Sequence, residues 1–424
     1  MDRISSLPDE SLLQILSSLN TKDVLKTSLL SKQWRNLWKW VPKLEYLDCG
    51  NTNATDHGKF MRFVDRSLLL NKAPVLERLS FKSFSKSSDI DIGFWVRVAA
   101  ERDLRDFDYS SAPYSEPIRL PQSLFTCGTL VVLKLDSVSL EDVKFPVSFP
   151  LLKTLHLRSV IFLDDESPQK LLSSCKVLEV LVVKRVTEDN VKSFSITVPS
   201  LRKLIYLNVN SGEGLFALNA PSLKSLEIDG IGHKCMIEEM PEIVSANVQI
   251  YRNSENILAS LTSVKRLSLC FHLVSRFPTG KIFHQLVELE VCTCNPKRDL
   301  LMSLLKHSPK LRALKLFERH DYRNTWEEVY NWGEPKSVLR RLKLGLETLE
   351  WGNYRGWNKE KELVRFVFKN SRSLKKATFS PVATTTTEEK NRMLQELTAL
   401  ARVATCQPVF GSVSHSSSIN PFSL

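Results

Sequence analysis

The chain has 424 residues, enough for two or three domains, and its 42% hydrophobic and 25% charged residues are typical of soluble globular proteins. No apolar run approaches the roughly 18 residues that span a membrane, and no apolar core follows Asp2 and Arg3, so neither a membrane span nor a signal peptide is predicted. The net charge of +12 is spread without a long basic run, which argues against nucleic-acid binding. Eight cysteines without framework spacing predict a reducing compartment, the cytoplasm or the nucleus.

Three short amphipathic helices are predicted in the first forty residues, because apolar side chains recur there at helical spacing. Predicted caps are Ser6, in a capping box with Asp9, then Thr21 and Ser31. So small a unit cannot bury all of its apolar surface, so we expect it to dock on a partner. The predicted inward positions are Leu12, Ile15, Leu16 and Leu19 in the first helix, Val24, Leu25, Ser28 and Leu29 in the second, and Trp34, Leu37 and Trp38 in the third.

This segment resembles an F-box, through the Leu7-Pro8 pair, the amphipathic first helix and the strings LLSKQWRNLW and VPKLEYLD. The two strings are typical of plant F-box proteins with leucine-rich repeats. The resemblance implies binding to a Skp-type adaptor, and through it to a cullin scaffold and a ubiquitin-conjugating enzyme. For any single leucine, holding the bundle together is the better interpretation, whereas Pro8 and the tryptophans together favour an interface. The implied adaptor contacts are Leu7, Pro8, Ile15, Leu16, Val24, Leu25, Trp34 and Trp38.

From about Leu44 to Phe317 the phrase L-x-x-L-x-L returns, as in LVVLKLDSV and SLKSLEIDGI. Steps of 22 to 28 residues separate the copies, except for one step of 41 that holds a weak copy at Ile243, Ala246 and Val248. This period indicates leucine-rich repeats and is not explained by a sandwich of short strands. The first anchors of the copies are Leu76, Leu104, Leu130, Leu152, Leu178, Leu201, Leu223, Val264, Leu286 and Leu311.

The repeats predict a solenoid with a curved sheet and helices on its convex side. In each short strand the leucines point inward, and the residues between them point to the concave side. We expect a target protein to bind this concave face, although each residue taken alone is compatible with an exposed strand position that binds nothing. The candidate positions carry both signs of charge and are Lys134, Asp136, His156, Arg158, Lys184, Glu227, Asp229, Arg266, Glu288, Glu290 and Lys315.

The repeat loses step after Leu311, where the aromatic and charged insertion ERHDYRNTWEEVYNWGEPKS comes before the pattern partly resumes at LETLEW. The string EWGNYRGWNKEKELVRFVFKNSRSLKKATFSP followed by EEKNRMLQEL resembles the FBD domain, which in plant proteins follows an F-box and leucine-rich repeats. Its residues predict a helix capped by Asn358, a strand, a helix with a capping box at Thr386 and Glu389, and a last short strand. We favour a cap on the open end of the solenoid over a dedicated binding site.

The predicted fold class is α/β, with a three-helix F-box at 1–47, about 9–11 repeats at 48–335, an α/β FBD cap at 336–411 and a disordered tail at 412–424. No phosphate-cradling glycine loop, zinc clip or catalytic motif is found, so no catalytic residue, metal ligand or enzyme activity is predicted. The resemblance implies that this chain is the substrate-recognition subunit of a Skp–cullin–F-box (SCF) ubiquitin ligase. A non-degradative scaffold and a small-molecule receptor that holds inositol polyphosphate stay open as alternatives.

Overall fold

The computed structural model describes residues 4, 6–48, 54–83, 89–111, 116–144, 146–187, 189–209, 214–231, 234–250, 255–271, 280–293, 298–318, 345–404 and 406–413. The chain divides into two compact units, Met1–Asn210 and Ser211–Leu424. Within the described ranges, no helix is both long enough and apolar enough to cross a membrane.

The first unit begins with a bundle of α1 (Asp9–Leu16), α2 (Thr21–Thr27) and α3 (Trp34–Leu37), followed by a 3₁₀ turn at Trp38–Trp40. All three helices lie in the predicted regions, but Leu19 and Leu29, which the apolar spacing places on inner faces, lie beyond the ends of α1 and α2 and are exposed. Their shared core is small because each helix contributes only one or two turns. The core consists of Leu12, Leu16, Val24, Trp34, Leu37, Trp38 and Val41, with Leu13 and Leu25 packed against it.

None of the three residues predicted to cap these helices is the observed N-cap, although each lies within two residues of it. The first helix begins directly after Pro8, which is its N-cap, so Ser6 does not occupy the cap position. Asn20, one residue before Thr21, caps the second helix, because its Oδ1 accepts a hydrogen bond from the Asp23 N–H at 3.0 Å. The third helix starts too late for Ser31 to cap it with its side chain.

A parallel sheet follows in the first unit, with β1, β2, β3, β5, β7, β8 and β10 hydrogen-bonded in that order. The short strands β4 and β6 pair separately. Strand β9 packs against α7. In chain order the elements are β1 (Lys43–Leu47), α4 (Ala54–Leu70), β2 (Arg78–Ser83), α5 (Asp89–Ala100), β3 (Asp106–Ser111), β4 (Ile118–Arg119), α6 (Gln122–Phe125), β5 (Val132–Asp136), β6 (Val138–Ser139), β7 (Thr154–Arg158), α7 (Ser167–Ser173), β8 (Val180–Arg185), β9 (Phe194–Thr197) and β10 (Lys203–Asn208).

The second unit also holds a parallel sheet, with strands β12, β14, β15, β16, β17, β18, β19 and β20 in order. Strands β11 and β13 pair with each other. In chain order the elements are β11 (Leu215–Asn219), β12 (Ser225–Ile231), β13 (Lys234–Ile237), β14 (Ser245–Ile250), α8 (Glu255–Ser260), β15 (Arg266–Phe271), β16 (Glu288–Cys292), α9 (Arg298–Lys306), β17 (Ala313–Phe317), β18 (Thr348–Tyr354), α10 (Asn358–Asn370), β19 (Lys376–Pro381), α11 (Thr387–Leu400), a 3₁₀ turn (Ala401–Val403) and β20 (Pro408–Phe410).

The repeat anchors form the interior of both units. Every one of the ten anchors is buried, and none exposes more than 6% of its surface. The weak copy around Ala246 and Val248 forms strand β14, so the step of 41 residues is two repeats. Strands β5 and β7 alternate as expected: in β5, Leu133 and Leu135 are buried while Lys134 is only half-buried. The leucine-rich repeat architecture is therefore confirmed.

The FBD segment continues this sheet through β18, β19 and β20. The Thr386–Glu389 capping box is confirmed, with the Glu389 carboxylate 2.9 Å from the Thr386 N–H. The preceding helix starts at Asn358, but its N-cap is Trp357, so Asn358 is its first residue. The insertion at 318–337 and the predicted tail at 412–424 fall almost wholly outside the described residues. The domain boundaries, and the role of the FBD segment as a cap on the solenoid, stay predictions.

Candidate interaction surfaces

The eight predicted adaptor contacts divide into an exposed and a buried set. Leu7, Pro8 and Ile15 are exposed, and Leu25 is half-buried. Leu16, Val24, Trp34 and Trp38 lie in the bundle core and expose at most 8% of their surface. These four residues offer almost no area to a partner while the bundle is folded.

The burial of Trp34 and Trp38 favours a structural role for them, contrary to the expectation that they lie at an interface. Removing a buried tryptophan leaves a large cavity and typically costs about 3–5 kcal/mol of folding free energy. A loss of adaptor binding on replacing Trp34 would therefore report unfolding of the bundle. Direct contact of these residues with an adaptor stays a prediction, and it is better tested at exposed positions.

Several exposed apolar residues of the bundle were missed or misplaced by the helical pattern. Leu29 was expected on an inner face, but α2 ends at Thr27, so Leu29 lies beyond the helix and is 87% exposed. Leu30 is 69% exposed, and Trp40 is also exposed. The available signal was the adjacent Leu29-Leu30 pair, which no single helical face can bury. We call Leu7, Ile15, Leu29, Leu30 and Trp40 the exposed apolar set.

Five candidate residues of the first unit are brought together on three neighbouring strands. The register places Lys134 beside His156 and Asp136 beside Arg158, and Arg158 lies beside Lys184 on the next strand. All five side chains are half-buried, as strand positions between inward leucines should be. These residues define the polar face of the first unit.

This polar face is positive around His156. Burial lowers the pKa of His156, and the charges of Lys134, Arg158 and Lys203 lower it as well; together they bring it to about 4. His156 is therefore neutral at pH 7. Burial raises the pKa of Asp136, and the nearby charge of Arg158 opposes that rise.

An ion-pair cluster beside this face was not predicted from the sequence. Arg78 on β2 lies 2.9 Å from the Glu45 carboxylate, 2.8 Å from Asp106 and 3.5 Å from Asp108. The pairs cross three strands, so one guanidinium ties β1, β2 and β3 together. Burial raises the pKa of Asp106, while the charge of Arg78 lowers it.

The remaining candidate residues lie in the second unit, where the register aligns most of them. Arg266 lies beside Glu288, and Glu290 lies beside Lys315. The Lys315 ammonium lies 2.6 Å from the Glu288 carboxylate. Burial lowers the pKa of Lys315, but the neighbouring glutamates raise it by more, so the pKa is raised overall. Glu227 begins the row on β12.

Asp229 and Glu290 depart from the simple pattern. The register of β12 shifts after Ile228, so Asp229 does not continue the aligned row. Glu290 is almost fully buried, with 1% of its surface exposed, although its position predicts an accessible strand residue. It accepts a hydrogen bond from the Ser268 hydroxyl at 3.2 Å. The aligned residues Glu227, Asn247, Arg266, Ser268, Glu288, Glu290, Lys315 and Glu350 define the polar face of the second unit.

No group of three or more histidine, cysteine or acidic side chains that could hold a metal ion occurs in the described part of the chain. Six cysteines lie there outside any disulfide bond, and five of them are buried. Burial raises the pKa of the Cys175 thiol to about 11 and that of the Cys235 thiol to about 12, so both are protonated at pH 7.

Comparisons with known proteins agree with the order of these parts. The F-box domain model matches residues 4–46, the model for the leucine-rich repeats of FBD-associated F-box protein At5g56370 matches 92–249, and the FBD model matches 334–379. The chain is 55% identical to FBD-associated F-box protein At5g56370 of Arabidopsis thaliana, over 97% of this chain and 100% of that protein. The chain belongs to the F-box/FBD/LRR-repeat family.

Two further Arabidopsis thaliana relatives cover nearly the full length. F-box/FBD/LRR-repeat protein At5g56420 is 47% identical over 96% of this chain and 99% of its own length. Probable FBD-associated F-box protein At1g32375 is 43% identical over 97% of this chain and 100% of its own length. The first-unit bundle is therefore an F-box, the sheets contain leucine-rich repeats and continue into the FBD, and none of these matches is to an enzyme family.

Proposed function

We propose that this F-box/FBD/LRR-repeat protein is a substrate-recognition subunit of an SCF-type ubiquitin ligase. Its F-box binds a Skp-type adaptor, which connects it to a cullin, and its repeat faces bind a target protein. The observation that carries the proposal is the exposed apolar set on the bundle that the F-box model matches. The chain itself supplies proximity between target and ubiquitin-conjugating enzyme, and other subunits supply the chemistry.

The exposed apolar set has the chemistry of a protein interface. Leu29 and Leu30 are adjacent, well exposed and outside the helices, so they can enter a partner pocket without disturbing the bundle core. Burying one such leucine fully contributes about 1.5–3 kcal/mol. Trp40 adds an aromatic side chain of the kind that is enriched at binding hot spots.

Adaptor pull-down with the variant Leu29→Glu/Leu30→Glu tests the F-box assignment. We expect at least a tenfold loss of adaptor binding with an unchanged thermal unfolding midpoint, because neither side chain belongs to the core. Leu163→Glu is the matched control, since Leu163 is a well-exposed leucine of the same unit outside the F-box. If the double variant binds the adaptor as the wild type does, these leucines do not form the interface.

Ubiquitination reconstituted with adaptor, cullin and a captured target separates a ligase subunit from a non-degradative scaffold. Target ubiquitination that depends on this chain supports the ligase role. Stable capture without ubiquitin transfer would contradict it.

A ligand-dependent receptor is a second candidate, favoured by the cations around the neutral His156. Lys134, Arg158 and Lys203 all lie close enough to depress its pKa, which is a setting for an anionic ligand such as an inositol polyphosphate. We expect inositol hexakisphosphate to raise the unfolding midpoint, and Lys134→Gln/Lys203→Gln to abolish that rise. Lys72→Gln, an exposed lysine of the same unit, is the control. An unchanged wild-type midpoint would exclude this candidate.

A further inference from the structure

A pocket of about 220 Å³ lies on the polar face of the second unit. It crosses strands β12, β14, β15 and β16. The register places Glu227 beside Asn247, Asn247 beside Ser268, and Ser268 beside Glu290. Four polar side chains from four strands therefore form one continuous row through the pocket.

The pocket is acidic in a basic protein. Three carboxylates, from Glu227, Glu288 and Glu290, line it against the single guanidinium of Arg266, which gives a formal charge of −2. Lys315 on the next strand does not cancel this negative charge, because it brings a further carboxylate with it. Its ammonium lies 2.6 Å from Glu288 and 4.0 Å from Glu350. The whole chain carries +12, so this sign is local to the pocket.

The pocket is also rich in hydrogen-bond acceptors held in fixed positions. The carboxylate of Glu290 is buried and is held by the Ser268 hydroxyl at 3.2 Å. A buried acceptor of this kind favours a ligand that brings several N–H donors.

The size of the pocket decides between a small molecule and a side chain. Pockets for drug-sized ligands and cofactors occupy roughly 300–1,000 Å³, which is more than this one offers. One long side chain fits better. Arginine has a planar cation with five N–H donors, which suits carboxylates and amide oxygens spread over neighbouring strands better than the point charge of lysine.

We propose that this pocket binds an arginine side chain of the captured protein. The inference rests on the proposed function in one respect, that the repeats of this chain hold a protein target. The arginine is the specificity-determining residue of the target segment: it enters between Glu227 and Glu290, while neighbouring target residues cover the rim of the pocket.

Pools of nonapeptides with random flanks and a central arginine, citrulline or lysine test the proposal on the full chain. Citrulline has nearly the shape of arginine without its charge. We expect the wild type to bind the arginine pool at least tenfold more tightly than the citrulline pool. In Glu290→Gln and in Glu227→Gln this ratio should fall below threefold, because each variant removes one pocket charge and keeps the side-chain size.

Glu239→Gln is the matched control, since Glu239 is exposed on a loop of the same unit outside the pocket. Glutamine at position 290 retains an oxygen for the Ser268 hydroxyl, and Glu227→Gln provides a second variant at a less buried site. Equal wild-type binding of the arginine and citrulline pools, or an arginine preference that survives in both pocket variants, would overturn the proposal. Equal binding of the lysine and arginine pools would overturn the assignment to arginine.

Adaptor pull-down on the same variants keeps this proposal separate from the proposed function. If the adaptor is bound and the arginine preference is missing, only the pocket assignment fails. If the arginine preference is present and the adaptor is not bound, the ligase role fails and the pocket assignment stands.

Discussion

The hydroxyl of Thr21 accepts a hydrogen bond from the backbone N–H of Glu45 at 2.8 Å. Thr21 opens the second F-box helix, and Glu45 lies in the middle of β1, the edge strand of the first-unit sheet. An edge strand leaves N–H groups on one side without a neighbouring strand. Thr21, which is buried, satisfies one of them and ties the F-box to the repeat sheet.

Thr21→Val should lower the free energy of unfolding by about 1–3 kcal/mol, because it keeps the shape of threonine and leaves the Glu45 N–H buried without an acceptor. Urea unfolding of the full chain measures the change. Thr21→Ser is the control: it keeps the oxygen and should lose less than half as much. Equal destabilisation by valine and serine would show that packing of the methyl group matters and the hydrogen bond does not.

The same residue shows where sequence reasoning stops. Asn20 and Thr21 are both good capping residues and adjacent, so the pattern alone cannot choose between them. The Glu45 N–H that engages Thr21 lies 24 residues away and belongs to another element. By contrast, the repeat anchors were predictable, because the same leucine spacing returns in every copy. All of these anchors are buried in the structure.

The candidate surfaces were predictable only in part. Alternation along β5 and β7 places Lys134 and His156 on one face without knowledge of the fold. Alternation does not reveal that Glu290 is buried, because that depends on what lies around the strand. The exposure of Leu29 depends on helix α2 ending at Thr27, and helix ends are the least certain part of a pattern.

Arg185 and Asp189 form a buried ion pair at the end of β8 that no local pattern predicts. The guanidinium donates to the carboxylate at 2.5 and 2.9 Å, and to the Tyr206 hydroxyl at 3.2 Å. It also donates to the Val191 carbonyl and lies over the Phe194 ring. Both partners of the ion pair are almost fully buried, so water cannot replace either one.

Asp189→Asn should lower the free energy of unfolding by about 3–5 kcal/mol, because it leaves the Arg185 charge buried without its counter-ion. Urea unfolding gives the value. Glu166→Gln is the control, since it breaks the exposed pair with Lys170 at 2.8 Å and should change stability little. A similar small effect for both variants would mean that solvent reaches Arg185.

His156 should stay neutral in the folded protein down to pH 5. Burial and the neighbouring cations together lower its pKa to about 4. Imidazole NMR signals of histidine-labelled protein measure this, and His156→Gln identifies the resonance. We expect the His156 signal to stay constant from pH 7.5 to 5, and a midpoint near 6.5 would contradict the positive environment of this face.

The stability consequence of His156 has a definite sign. The unfolded chain has a histidine pKa near 6.5, so between pH 6.5 and 4 it binds more protons than the folded protein does. Stability from this residue is therefore lost as the pH falls through that window. His156→Gln should remove this loss, and unfolding free energies of both proteins at pH 5 and 7 measure the difference.

Glu360 should contribute the opposite dependence on pH. Its carboxylate accepts hydrogen bonds from the backbone N–H groups of Arg355 and Trp357 at 3.1 and 2.9 Å, which fixes the turn before α10. Burial raises its pKa, these hydrogen bonds lower it, and the charge of Glu318 raises it; the net result is a pKa of about 7. Glu360 is thus a buried acid that is half protonated at neutral pH.

Between the unfolded pKa of 4.5 and the folded pKa of about 7, the folded protein holds more protons on this residue than the unfolded chain. Stability from Glu360 is therefore present at acid pH and falls as the pH rises through this window, by up to about 3 kcal/mol. Glu360→Gln should abolish that fall, which appears as a wild-type minus variant difference in unfolding free energy that decreases from pH 5 to pH 8. Glu389→Gln is a control of opposite sign, because hydrogen bonds from Thr386 lower the pKa of Glu389 and its contribution is lost toward acid pH. Parallel stability profiles of wild type and Glu360→Gln would show that Glu360 has an ordinary pKa and that water reaches the turn before α10.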